Sequence, residues 1–106
     1  MGNLFGIKKY NWVHSSLFIN YTQYKNNKKN GTEKYYGIDG NIVYEAEFLD
    51  DNAIKETGYY PNGNIKYEVD YNSESGHCLT EDNKKISLTT EQISFLKNNS
   101  LNFICE

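Results

Sequence analysis

Two stretches in the middle of the chain alternate residue by residue between core-seeking and outward positions. In the first, Ile42, Tyr44, Ala46 and Phe48 alternate with Val43, Glu45 and Glu47. In the second, Ile65, Tyr67, Val69 and Tyr71 alternate with Lys66, Glu68 and Asp70. A period of two is the signature of a strand with one face buried, whereas helical spacing would scatter these residues around an axis. The stretches beginning at Gly40 and Gly63 are copies: five of nine positions are identical and only Val43/Lys66 differs in kind. The match runs back through Asp39/Asn62, Tyr36/Tyr59 and Glu33/Glu56. A fainter third copy sets Ile19 and Tyr21 against Ile42 and Tyr44.

Each copy opens with turn chemistry. Pro61 fixes φ near the value a turn needs, and Gly63, like Gly40 after Asp39, supplies the positive φ that other residues resist. Short Tyr-rich segments precede the turns, so residues 33–71 read as tandem hairpins, each a strand, a tight turn and a longer strand. Residues 25–31, 49–53 and 72–77 read as polar loops, and 16–24 as a further strand. After the repeats, 78–80 and 85–88 pair as a short hairpin around 81–84. Thr89 and Gln92 then have capping-box spacing, and Ile93, Phe95 and Leu96 follow on an apolar helical side, which predicts a helix over 89–99. Leu101, Phe103 and Ile104 form a last strand or packing tail. The expected fold is mainly β with an α+β ending: an antiparallel meander of stacked hairpins with a short C-terminal helix. The chain of 106 residues fits one domain.

Composition sharpens this picture. Aromatic residues make up 15%, ten of them Tyr, which suits half-buried strands and argues against disorder. The net charge of −3 conceals an asymmetry. Residues 1–35 carry six Lys against Glu33 alone, while 36–82 carry eleven acids against Lys55 and Lys66. The acidic middle argues against nucleic acid as its direct partner and for a basic protein surface. The loop around Lys25, Lys28 and Lys29 is the densest basic patch; with no Arg in the chain it reads as a solvated loop. No apolar run is long enough to span a membrane, and residues 1–13, broken by Lys8, Lys9 and Asn11, do not read as a signal peptide, so none is expected. A cytoplasmic location is expected. Cys78 and Cys105 are expected as two free thiols, since two cysteines do not make a disulfide framework. The adjacent His77 and Cys78 suggest a metal site, but as strand neighbours they point to opposite faces, so none is expected there, and His14 stands alone.

No phosphate-cradling glycine loop, nucleophile elbow or zinc spacing is present, so no catalytic residue, metal or cofactor is assigned. The outward acids Glu45, Glu47, Glu68 and Asp70, with Tyr59 and Lys66 beside them, form the candidate partner-binding set. A repeated acidic stripe can dock on a basic surface; it can equally serve only to keep a β-surface in solution.

The segments Tyr36-Gly37-Ile38-Asp39-Gly40-Asn41-Ile42-Val43-Tyr44-Glu45 and Tyr59-Tyr60-Pro61-Asn62-Gly63-Asn64-Ile65-Lys66-Tyr67-Glu68 resemble the MORN-type repeat, in the variant of bacterial YwqK-family antitoxins. The first copy departs from the pattern at Ile38 and Asp39. The resemblance implies stacked hairpins that serve as a binding surface for proteins or lipids, and the antitoxin variant implies neutralisation by direct contact. The expected function is therefore a non-enzymatic protein-binding module that inhibits or sequesters its partner, as an antitoxin, immunity protein or phage anti-defence inhibitor does. The alternative is a scaffold or membrane-surface module, and exposed meander edges also offer a route to a homo-oligomer.

Overall fold

The computed structural model describes residues 3–13, 16–99 and 103–105, with side chains from Ile19 onward. His14 and Leu101 lie outside the described residues. Eight strands form one antiparallel sheet in chain order: β1 (Asn3–Val13), β2 (Ser16–Lys25), β3 (Lys28–Gly37), β4 (Ile42–Leu49), β5 (Asn52–Tyr59), β6 (Ile65–Asp70), β7 (Ser75–Leu79) and β8 (Lys85–Ser87). Among the described residues one helix, α1 (Thr90–Asn99), follows. The expected meander with a C-terminal helix is the observed fold.

Three details correct the expectation. Strand β1 was not anticipated, because Lys8, Lys9 and Asn11 interrupt its apolar alternation. The loops expected at 25–31 and 49–53 are two-residue turns. Asn26 and Asn27 adopt φ of 54° and 67°, and Asp50 and Asp51 φ of 49° and 70°. Positive φ at both central positions is the mirror-image turn that matches strand twist, and Asn and Asp tolerate it better than most residues. The faint copy at Ile19 and Tyr21 is out of phase. Tyr21 lies opposite Lys34, which lies opposite Glu45, so Tyr21 shares the outward face and not the face of Tyr44.

The turns carry the true periodicity. In the first copy Gly37 N–H donates to Asn41 O at 2.9 Å and Gly40 N–H to Gly37 O at 2.9 Å. In the second, Tyr60 N–H donates to Asn64 O and Gly63 N–H to Tyr60 O. Thr80 N–H to Lys84 O and Asn83 N–H to Thr80 O repeat the pattern between β7 and β8. Asn83 there holds φ 69°, in the place of Gly40 (φ 87°) and Gly63 (φ 91°).

The inward face is built along cross-strand rows. Glu33, Ala46, Glu56, Val69 and Gly76 lie side by side from β3 to β7, and Tyr35, Tyr44, Gly58, Tyr67 and Cys78 form the next row. The Tyr67 ring lies over Gly58, where any Cβ would collide with it. The C-terminal end of this face is roofed by the helix and the tail. There α1 and the tail bring Ile93, Leu96, Phe103 and Cys105 onto Tyr67, Val69 and Cys78 to make the apolar core. The expected capping box starts α1: Gln92 N–H donates to Thr89 Oγ1 at 3.1 Å, and Thr89 N–H donates to Gln92 Oε1 at 2.8 Å.

The cysteines are not free. Cys78 and Cys105 form a disulfide with Cα atoms 5.8 Å apart, closing a separation of 27 residues. The register sets Cys78 opposite the inward Tyr67, and the tail after α1 returns to that face, which no local pattern in the sequence shows.

Toward the N-terminal end the inward face is polar yet buried. Glu33 and Glu56, each 3% exposed, flank Ala46 at equivalent places in the two repeats. Glu56 accepts from the hydroxyls of Tyr67 (3.3 Å) and Tyr71. Glu33 accepts from Thr22 Oγ1 at 2.8 Å and pairs with Lys29 Nζ at 3.0 Å. The swap is readable in sequence: where the second copy has Tyr71 the first has Phe48, which offers no hydroxyl, and Lys29 Nζ lies 4.9 Å from the Phe48 ring centroid. Burial works to lower the Lys29 pKa, but the hydrogen bond and charge of Glu33 outweigh it and leave it raised.

Candidate functional site

The outward face carries the residues singled out by the sequence, and its registers show how they group. Glu45 and Glu68 lie on either side of Thr57, and Glu47 and Asp70 on either side of Lys55. Two strand spacings separate each flanking pair, roughly 10 Å. The four carboxylates therefore form a compact patch, two on β4 and two on β6, with Thr57 and Lys55 of β5 between them. The repeat explains the layout, since Glu45 and Glu68 are equivalent, as are Glu47 and Asp70.

The patch is less uniformly acidic than the sequence suggested. Lys34 lies directly opposite Glu45, and Lys55 opposite both Glu47 and Asp70. Cross-strand opposite charges attract weakly at an exposed surface. Each carboxylate also has its own surroundings. Glu45 Oε1 accepts from the Tyr59 hydroxyl at 2.6 Å. Glu68 Oε1 is 3.2 Å from His77 Nε2. Asp70 Oδ1 accepts from the backbone N–H groups of Asn72 (3.0 Å) and Ser73 (3.2 Å), which makes it the cap of the β6–β7 turn. Glu47 and Glu68 are the two exposed members.

Lys66 does not join the patch. The register passes from Gly58 opposite Tyr67 to Tyr59 opposite Ile65, which leaves Lys66 as the extra residue of a β-bulge. Val43 takes the same role between Tyr35–Tyr44 and Tyr36–Ile42. The one repeat position that differs in kind is thus the bulged one, where alternation imposes no face. Lys66 instead lies 6.0 Å from the Tyr60 ring centroid and lines a cleft with Thr80, Glu81, Asp82 and Ile104, where burial lowers its pKa.

Tyr59 is held protonated. Burial, then the hydrogen bond to Glu45 and the charges of Glu45 and Glu68, push its pKa up to about 12. A phenol whose folded pKa lies above its unfolded value of about 10 contributes stability that is complete below pH 10. That contribution fades as pH rises through 12. Phenolate absorbance of the folded protein should therefore lag a free-tyrosine titration, and Glu45→Gln should shift one phenol back toward 10. A Glu45→Gln curve identical to wild type would remove the bond as the cause.

No family model matches the chain, and no curated protein matches it. A solved structure of the GtfA/B complex bound to UDP and GlcNAc is similar at 8% identity, with a TM-score of 0.33. The match covers 94% of this chain and 30% of that chain. At that level it carries no argument about fold or activity.

Sequence reasoning missed the interleaved Lys34 and Lys55, whose place opposite the acids depends on register. It also missed a cleft on the same face lined by Ile19, Tyr21, Lys34, Tyr36 and Ile38. Among the described residues no three His, Cys, Asp or Glu side chains gather as a metal site would require, and no helix is long and apolar enough to cross a membrane.

Proposed function

We propose that this protein is a non-enzymatic binding module that inhibits or sequesters a partner protein through its outward sheet face. The observation that carries the reading is the grouping of Glu45 and Glu47 on β4 with Glu68 and Asp70 on β6, on either side of β5 and opposite the face that bears the core. A sheet fixes these carboxylates relative to one another, so a basic partner surface meets a preorganised pattern. The same charges repel anionic lipid, which counts against the membrane-surface alternative. The equivalent turn hydrogen bonds of the two copies support the MORN-type resemblance as part of this proposal. The antitoxin, immunity or anti-defence role extends it. On location, the disulfide weighs against the cytoplasm expected from the sequence, because such bridges persist in oxidising compartments.

The test uses the two exposed acids, since Asp70 caps a turn and Glu45 holds Tyr59. Immobilised wild type, exposed to an extract of its native host, should retain one basic protein in stoichiometric amount. Glu47→Lys/Glu68→Lys, with an unchanged melting temperature, should lose it. Equal retention by both proteins would make the acids a device for staying in solution and nothing more.

A further inference from the structure

The two repeats part company at one place on the outward face, and the difference opens a cleft. In the second copy the Tyr59 hydroxyl is closed by Glu45 from the preceding hairpin. The equivalent tyrosine of the first copy, Tyr36, meets Tyr21 instead. Tyr21 stands opposite Lys34 as Glu45 stands opposite Thr57, so it holds the place of the carboxylate. The two rings meet edge to face with centroids 6.0 Å apart. Ile19, Tyr21, Tyr36 and Ile38, with Lys34 and the glycines of the turn, then line a cleft of about 550 Å³. Ile38 is 75% exposed at the turn where the second copy has Pro61, and Tyr21 is 39% exposed. A large aliphatic side chain at a turn tip beside an aromatic pair leaves apolar surface in water that a partner could cover.

We propose that this cleft receives the apolar anchor of a basic partner segment: one indole or large aliphatic side chain flanked by lysine or arginine. The proposal rests on the acidic-docking reading above and names the chemistry of its partner. Charge complementarity selects the occupant. Beyond Lys34 the same face continues into Glu45 and then Glu68, with Glu47 and Asp70 in the neighbouring row. A segment anchored in the cleft therefore runs out over four carboxylates, and basic flanks are matched where acidic ones are repelled. An apolar pocket bordered by charge is the usual anatomy of an interface whose energy concentrates in one anchor.

Amide shifts of the ¹⁵N-labelled full chain test this with three probes: indole, an acetylated Lys-Lys-Trp-Lys-Lys amide, and its Glu-Glu-Trp-Glu-Glu counterpart. Indole should move the amides of Tyr21, Tyr36, Ile38 and Gly40. The lysine peptide should bind there about fivefold more tightly than the glutamate peptide at low salt, the gain expected of two exposed charge contacts. Tyr21→Ser/Ile38→Ser should abolish the shifts, and Ile38→Ser alone, at an exposed turn, should weaken them in a protein that folds as wild type. Absence of indole shifts at the cleft overturns the anchor assignment and leaves the acidic-docking reading standing. Indole seated in the cleft with equal binding of both peptides, or tighter binding of the glutamate peptide, overturns that reading and the basic partner with it. Cleft amides that move with protein concentration alone overturn the proposal in favour of a second copy of the chain.

Discussion

Removing the Cys78–Cys105 bridge should cost about 3.5 kcal/mol, the loop-closure estimate for the separation of 27 residues. Against a typical native stability of about 5–15 kcal/mol, that is a large share. The bridge ties the tail to β7 at the centre of the apolar core, where Cys78 is fully buried beside Tyr67, Ile93 and Leu96. Without it, the tail and α1 rest on the packing of Ile93, Leu96 and Phe103 against the sheet. Cys78→Ala/Cys105→Ala should melt roughly 15 °C or more below wild type. Treatment with a phosphine reductant should lower the wild type to the variant's melting point and leave the variant unmoved. Alanine is chosen because serine would bury a hydroxyl. A wild type whose melting is indifferent to reduction, with two thiols shown by alkylation, would mean that the bridge contributes nothing.

The second large effect is expected at Glu56. Its carboxylate accepts from Tyr67 and Tyr71 on the inward face, at 3% exposure. Glu56→Ala deprives both hydroxyls of this acceptor and opens a gap beneath the rings. A buried polar group left without its partner costs about 1–3 kcal/mol, so the sum is roughly 2–4 kcal/mol. Glu56→Gln keeps an acceptor oxygen in place and should cost less than half as much. The bonds can be isolated with Tyr71→Phe in a double-mutant cycle. The coupling between Glu56 and Tyr71 should be favourable, and additive effects would show that the hydroxyl does not depend on the carboxylate. Burial pushes the Tyr71 pKa upward, with the Glu56 bond and charge adding to it. Its stabilising share is therefore retained at neutral pH and lost only on strongly alkaline titration.

The strands of the repeats were legible because a period of two is strong evidence wherever one face is buried. Tyr44, Ala46, Tyr67 and Val69 turned inward as their alternation required. The capping box at Thr89 was legible because it is local: the signal lies within four residues. What escaped the sequence depends on register or on distant returns of the chain. Asn26-Asn27 and Asp50-Asp51 looked like polar loops, since only the pairing of the flanking strands shows that two residues suffice to turn. The buried row of Glu33 and Glu56 was visible as a repeated glutamate. Its inward direction emerges only once Ala46 and Val69 are known to lie opposite. Lys66 was misplaced because one bulge breaks the alternation at that residue. The disulfide was missed for the same kind of reason, as no local pattern tells how a tail folds back over a sheet.

The repeat also explains why the outward patch is a reasonable place to look for function. Inward, the two copies solve the same problem twice, closing a buried carboxylate with Thr22 and Lys29 in one case and with two tyrosines in the other. Outward, they diverge into a carboxylate-bound Tyr59 and an open aromatic cleft at Tyr36. Both faces thus keep the carboxylates of the repeat and vary the groups around them, and on the outward face that variation opens the cleft.

We propose above all that a basic protein docks on this acidic face. The most direct measurement is calorimetric titration of the captured partner with wild type and with Glu47→Lys/Glu68→Lys at low and high salt. Wild type should bind one-to-one with an affinity that weakens at least about tenfold across the salt range, and the variant should bind more weakly and with less salt dependence. Equal affinities for both proteins, unmoved by salt, would contradict it.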